Sequence, residues 1–140
     1  MRKGKTMSEL RLGDRAETVN HVTEETGVKF ADVSNDHNPV HLDEAYASAT
    51  PFKGRIAHGM LLAAYISAVL GNDLPGPGSI YVNQTLSFKA PVRYGDTITT
   101  TVEVVELIPE RNRSKFKTTC TNQNGLIVLE GEATILPPKE

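Results

Sequence analysis

The 140-residue chain has a single cysteine, Cys120, and no tryptophan. A lone thiol forms no internal disulfide and cannot supply the paired cysteines of a zinc or iron–sulfur site. It suits a reducing setting, so a cytoplasmic location is expected. Arg2, Lys3 and Lys5 lead into no apolar run, so no secretory signal is read. No stretch reaches the roughly 20 apolar residues of a membrane span. With 15 basic and 17 acidic residues the net charge is -2, which leaves no broad basic field and makes nucleic acid a poor partner. There is no internal repeat, no glycine-rich phosphate loop and no serine nucleophile elbow. What remains is 39% hydrophobic and 23% charged, the composition of one globular domain with a real core.

Residues 1–11 and 137–140 read as a flexible start and a tail around one domain over 12–136, since neither end has apolar periodicity. A first strand is expected over 17–22. Thr23 followed by Glu24 and Glu25 predicts a helix start, hydroxyl and carboxylates answering the free N–H groups. That helix runs to Ser34 with Val28, Ala31 and Val33 as its buried side, and Asn38-Pro39 cannot continue it. A short helix is expected over 43–48. Residues 60–70 are good helix formers, apolar nearly all round and closed by Gly71, so the protein must bury this helix on most sides.

Strands follow. Ile80, Val82, Leu86 and Phe88 share one face by period two, and residues 97–107 and 114–121 are rich in β-branched side chains. Asn124-Gly125 marks a hairpin into 126–136, with Ile127, Leu129, Ala133 and Ile135 on one face. Strands so closely connected pair antiparallel, and the evident way to cover the apolar helix is to wrap the sheet around it. The class is therefore α+β.

The densest polar cluster is Ser34-Asn35-Asp36-His37-Asn38-Pro39-Val40-His41. Asp36 follows the preceding helix, and His41 exchanges protons near neutral pH. The Pro39 bend lets both point at one spot and polarise a water. The plainer reading is a turn built from ordinary turn formers. His37 and His41 have the one-turn spacing of metal ligands, but that spacing works only on an intact helix, which Pro39 forbids, so no metal is expected. A second cluster, Gly54-Arg55-Ile56-Ala57-His58-Gly59-Met60, leads into the apolar helix. Free N–H groups at a helix start stabilise an oxyanion, and Gly59 permits close approach. Equally, Gly59 could serve packing alone and His58 could be a core histidine.

The run from Phe30 to His41 with Ala47 resembles the hydratase-2 motif of the MaoC-like family, the (R)-specific enoyl-CoA hydratases. The segments Gly54–Met60 and Phe88–Asp96 resemble it too, and the similarity spans about residues 12–136. One departure is Asn35, where the family commonly has glycine before its aspartate; asparagine tolerates left-handed angles, so the bend can survive. The resemblance implies a hot-dog fold, an antiparallel sheet wrapped around a long central buried helix at 59–70. It implies a homodimer or higher assembly with an acyl-CoA site at the subunit interface, and hydration of a trans-2-enoyl-CoA to the (R)-3-hydroxyacyl-CoA. By the same resemblance Asp36 and His41 hold and activate the water, with Asp36 the favoured base and the proton donor left open between them. Asn38 would orient the pair, and the Gly59 N–H would receive the thioester oxyanion. Arg55, His58 and Arg93 would be substrate-binding, and CoA phosphates could call on Arg55, Lys89, Arg93, Arg111, Arg113, Lys115 or Lys117. The acyl pocket would be lined by the central helix and the 74–80 loop. No cofactor is implied. The alternatives are a 3-hydroxyacyl-[acyl-carrier-protein] dehydratase and a non-catalytic acyl-CoA binder; a thioesterase would want an acidic residue on the central helix, and there is none over 60–70.

Overall fold

The computed structural model describes residues 2–140. Strand β1 (Arg15–His21) is followed by helices α1 (Glu24–Ser34), α2 (Pro39–Leu42), α3 (Glu44–Ser48) and α4 (Gly59–Asn72). Then come β2 (Ile80–Gln84), β3 (Ser87–Phe88), β4 (Thr97–Ile108), β5 (Arg113–Thr121) and β6 (Ile127–Leu136). All pairs are antiparallel, in the order β1-β4-β5-β6-β2, with β3 also on β6. The sheet curves around α4 in the expected hot-dog arrangement.

Why α4 seats there follows from its period. Leu62, Ile66, Val69 and Leu70 recur at helical spacing and are almost wholly buried. They meet the alternating inner face of β4, Ile98, Val102 and Val104, together with Phe116, Cys120 and Ala133 from β5 and β6. The burial expected on most sides of α4 is present on this side only. Met60, Ala64, Ser67 and Ala68 face outward within one chain. Gly71 does not end the helix either: α4 runs to Asn72, and its cap Asp73 donates its N–H back to Val69.

Other expectations need correction. In α1 the buried residues are Gly27 and Ala31, whereas Val28 is 46% and Val33 82% exposed, because the inward stripe lies on the 27–31 side. Ile80 and Val82 are exposed because β2 is an edge strand, and Phe88 on β3 is exposed too, although its ring lies against Gly59 at the start of α4. The start of the chain is not loose. Leu10 is 1% exposed within the core, and the Gly4 and Lys5 N–H groups donate to the carbonyls of Pro77 and Pro75. The tail is tied too, Glu140 accepting from the Ser8 N–H and hydroxyl.

Candidate active site

The turn after α1 is built from short side-chain bonds. Thr23 caps α1 by accepting the Thr26 N–H, and Asn35 ends it in the left-handed region at φ 62, a conformation asparagine tolerates. The Asp36 carboxylate accepts the Asn38 N–H at 3.2 Å. The Asn38 side chain accepts the Val40 N–H at 3.1 Å, capping α2, with Pro39 at its first position. Asn38 thus joins the Asp36 turn to the helical turn that carries His41.

His41 is 8% exposed, and two contacts hold it. Its Nδ1 lies 2.8 Å from the Ile56 carbonyl oxygen, and the Tyr94 hydroxyl donates to its own carbonyl at 2.8 Å. A carbonyl only accepts, so Nδ1 carries the proton and Nε2 keeps its lone pair. Burial pushes the His41 pKa down, more than the Ile56 bond raises it; nearby His58 lowers it further and Asp36 opposes. The ring therefore favours its neutral, proton-accepting form.

The segment before α4 is drawn against this turn by two main-chain bonds: Ile56 donates to the Val40 carbonyl and Ala57 to that of Val92. His58, 2% exposed, thereby stacks on His41 with centroids 3.8 Å apart and planes at 26°. Its Nε2 is 3.0 Å from the Asp36 carbonyl oxygen, and the edge of Phe30 closes its other flank at 5.0 Å. One donor atom from each of Asp36, His41 and His58 lies within 4.8 Å of the others. Two histidines and a carboxylate are also metal-ligand types. Each imidazole already has one nitrogen on a main-chain carbonyl, His41 on that of Ile56 and His58 on that of Asp36.

A cavity of about 520 Å³ opens beside the cluster. Asp36, His58 and Gly59 form its polar end, and Phe52, Met60, Leu62 and Phe88 supply much of the apolar wall. His41 is not on the lining itself but is stacked on His58, which is. Gly59 is the first residue of α4, so its N–H has no partner within the helix.

The expected 74–80 loop does not line this cavity; it follows the far end of α4, about 20 Å away by helical rise. Arg55 and Arg93 are not on the cavity lining either, and both are held by contacts within the chain. Arg55 pairs with Glu24 at 2.8 Å and Glu44 at 3.1 Å over the Tyr94 ring, while Arg93 donates to the carbonyls of Phe52, Gly54 and Arg55. Of the cations considered for phosphates, Lys89 is the one on the cavity lining among the described residues, and it is 3.5 Å from Glu130. Tyr94, Phe30 and Phe88 were not anticipated. A signal for Tyr94 existed in Gly27, a glycine inside a helix: a Cβ there would lie 2.7 Å from the Tyr94 ring carbon Cζ.

Residues 11–125 match the family described as MaoC like domain. The chain is 54% identical over 130 residues to an (R)-specific enoyl-CoA hydratase of Rhodospirillum rubrum, covering 93% of this chain and 90% of that protein. It is 53% identical over 113 residues to a 3-hydroxybutyryl-CoA dehydratase of Methylorubrum extorquens, covering 81% and 71%. The crystal structure of R-hydratase PhaJ1 from Pseudomonas aeruginosa superposes with a TM-score of 0.91 at 48% identity, covering 98% of this chain and 88% of that one. Among the described residues no helix is long and apolar enough to cross a membrane.

Proposed function

Because the chain belongs to the MaoC-like domain family, we propose that it is an (R)-specific enoyl-CoA hydratase, a hydro-lyase adding water reversibly to trans-2-enoyl-CoA. The observation that carries the site assignment is the meeting of the Asp36 carboxylate and the His41 imidazole within 4.8 Å, beside an apolar cavity and the free N–H of Gly59. A water bonded to both groups at about 2.8 Å fits that separation.

Hydration needs a base to take a proton as the water oxygen attacks the β-carbon, and an acid to protonate the α-carbon. Asp36 and the bare Nε2 of His41 hold the water, and the pair takes one of its protons and returns one to the α-carbon. Charge developing on the thioester oxygen meets the Gly59 N–H at the positive end of α4. The acyl chain lies along Phe52, Met60, Leu62 and Phe88, with Lys89 at the cavity available to CoA.

The working form is a homodimer. Ile80 and Val82 on the edge strand β2, and Met60 on α4, are exposed apolar side chains that a second copy would cover. An acyl-CoA substrate and the buried Cys120 thiol suit the cytoplasm and fatty-acid metabolism. Purified protein should consume the conjugated absorbance of crotonyl-CoA and yield the (R)-alcohol. His41→Ala should lower turnover roughly 100-fold or more. Wild-type rates in that variant would refute the site, and a faster reaction with the acyl-carrier-protein thioester would favour the carrier-protein dehydratase reading. Val82→Lys should shift sedimentation from dimer to monomer; an unchanged dimer would move the interface elsewhere.

A further inference from the structure

The hydration chemistry calls for one imidazole, yet the site contains two. His58 is 2% exposed, and its Nδ1 is buried with no hydrogen-bond partner. A buried acceptor without a donor costs stability, which a phenylalanine or leucine of similar size would avoid. Packing alone therefore does not account for a histidine here. Its contacts do. The Nε2–H donates to the main-chain carbonyl of Asp36, the ring covers the face of His41, and the next residue is Gly59.

We propose that His58 is the positioning residue of the site, its ring and Nε2–H fixing His41 and the Asp36 turn against each other and both against the Gly59 N–H. The Ile56 carbonyl holds one end of the His41 ring and the stacked His58 blocks its rotation, so the bare Nε2 has one direction. The bond to the Asp36 carbonyl pins the turn that aims the carboxylate. Because His58 is the N-cap of α4, any shift of the Asp36–His41 unit is transmitted to the donor beside it. A reacting thioester must meet all three groups at once, and a misplacement of about 1 Å costs on the order of 100-fold in rate. This inference rests on the reading of Asp36, His41 and Gly59 as the reacting groups.

Two substitutions separate the two contacts. His58→Phe keeps a flat ring on His41 and loses the donor; His58→Gln keeps an N–H near the Nε2 position and loses the ring. With crotonyl-CoA, each should lower kcat roughly 10- to 100-fold while KM stays within about threefold, with cooperative thermal unfolding retained. The His41 ring resonance, followed by NMR against pH without substrate, should titrate higher in His58→Gln, because water then reaches the face that His58 covers. The groups facing His41 in that titration are Asp36, His58 and the Ile56 carbonyl. Turnover within threefold of wild type in both variants, with the His41 titration unmoved, would make His58 a core residue and overturn the proposal. A rise in KM at unchanged kcat would overturn it in favour of substrate binding. If one variant fails to fold, the other reads the same quantities. Should His41→Ala and Asp36→Asn retain activity, the acid–base reading fails; the NMR arm then still decides whether His58 holds His41.

Discussion

Gly59→Ala should leave the protein folded and its catalysis crippled, and the cause should be Phe88. A Cβ at position 59 would lie 2.6, 3.0 and 3.3 Å from Cε1, Cδ1 and Cζ of that ring. Carbon contacts prefer about 3.5–4.0 Å, so something yields by roughly 1 Å. The backbone at Gly59 is not in the left-handed region, so alanine meets no backbone strain there. The start of α4 is anchored by buried Leu61 and Leu62, whereas Phe88 is 52% exposed on a two-residue strand, so the ring moves. Losing its contact costs about half the burial of a phenylalanine, roughly 1 kcal/mol, and net stability stays within about 1 kcal/mol of wild type. The nearest free space is the cavity both residues line, where a displaced ring blocks the thioester from the Gly59 N–H. kcat/KM should fall on the order of 100-fold. Adding Phe88→Ala to Gly59→Ala removes the intruding ring and should restore most of the loss. Crotonyl-CoA turnover and thermal melts of both single variants and the double variant test this. A Gly59→Ala enzyme at wild-type rate, or a double variant no better than the single one, would refute it.

Asp36→Asn keeps an oxygen for the Asn38 N–H at an exposed position, so its urea midpoint should match wild type while turnover drops roughly 100- to 10,000-fold. For His41, burial depresses the folded pKa below the ordinary 6.5, so the acid limb of kcat/KM should fall below pH 6.5. The same depression has a stability sign: His41 costs nothing above its unfolded pKa, and stability declines as pH falls from about 6.5 toward the folded value. Urea unfolding across that window should show the decline, and His41→Gln should remove its share. Gly27→Ala drives a methyl into Tyr94 and pushes its hydroxyl off the His41 carbonyl. It should destabilise by about 1–3 kcal/mol in urea and also slow turnover.

Local signals in the chain correspond closely to the elements they concern. Thr23 caps a helix, Asn38-Pro39 opens α2, and the Leu62–Leu70 period presses α4 onto β4. Errors arise where burial depends on what lies opposite. Ile80 and Val82 alternate as a strand face should, but β2 is the sheet edge, and both side chains are exposed within one chain. Leu10 has no periodic neighbours, so only the tertiary structure reveals that its side chain enters the core.

The site divides the same way. Asp36, Asn38 and His41 lie within one turn and its cap, so one short stretch of sequence carries both the pair and the motif that resembles the family. His58 is 22 residues from the carbonyl it binds, and no spacing rule links them. Their meeting depends on Ala57 docking on the Val92 carbonyl and Ile56 on that of Val40, bonds between main-chain groups that any residue types could make. Side-chain identity enters afterwards, when the imidazole delivered there finds His41 at stacking distance. The chemistry-bearing half of the site is thus written locally as a motif, and the half that aims it is written in the topology of the sheet.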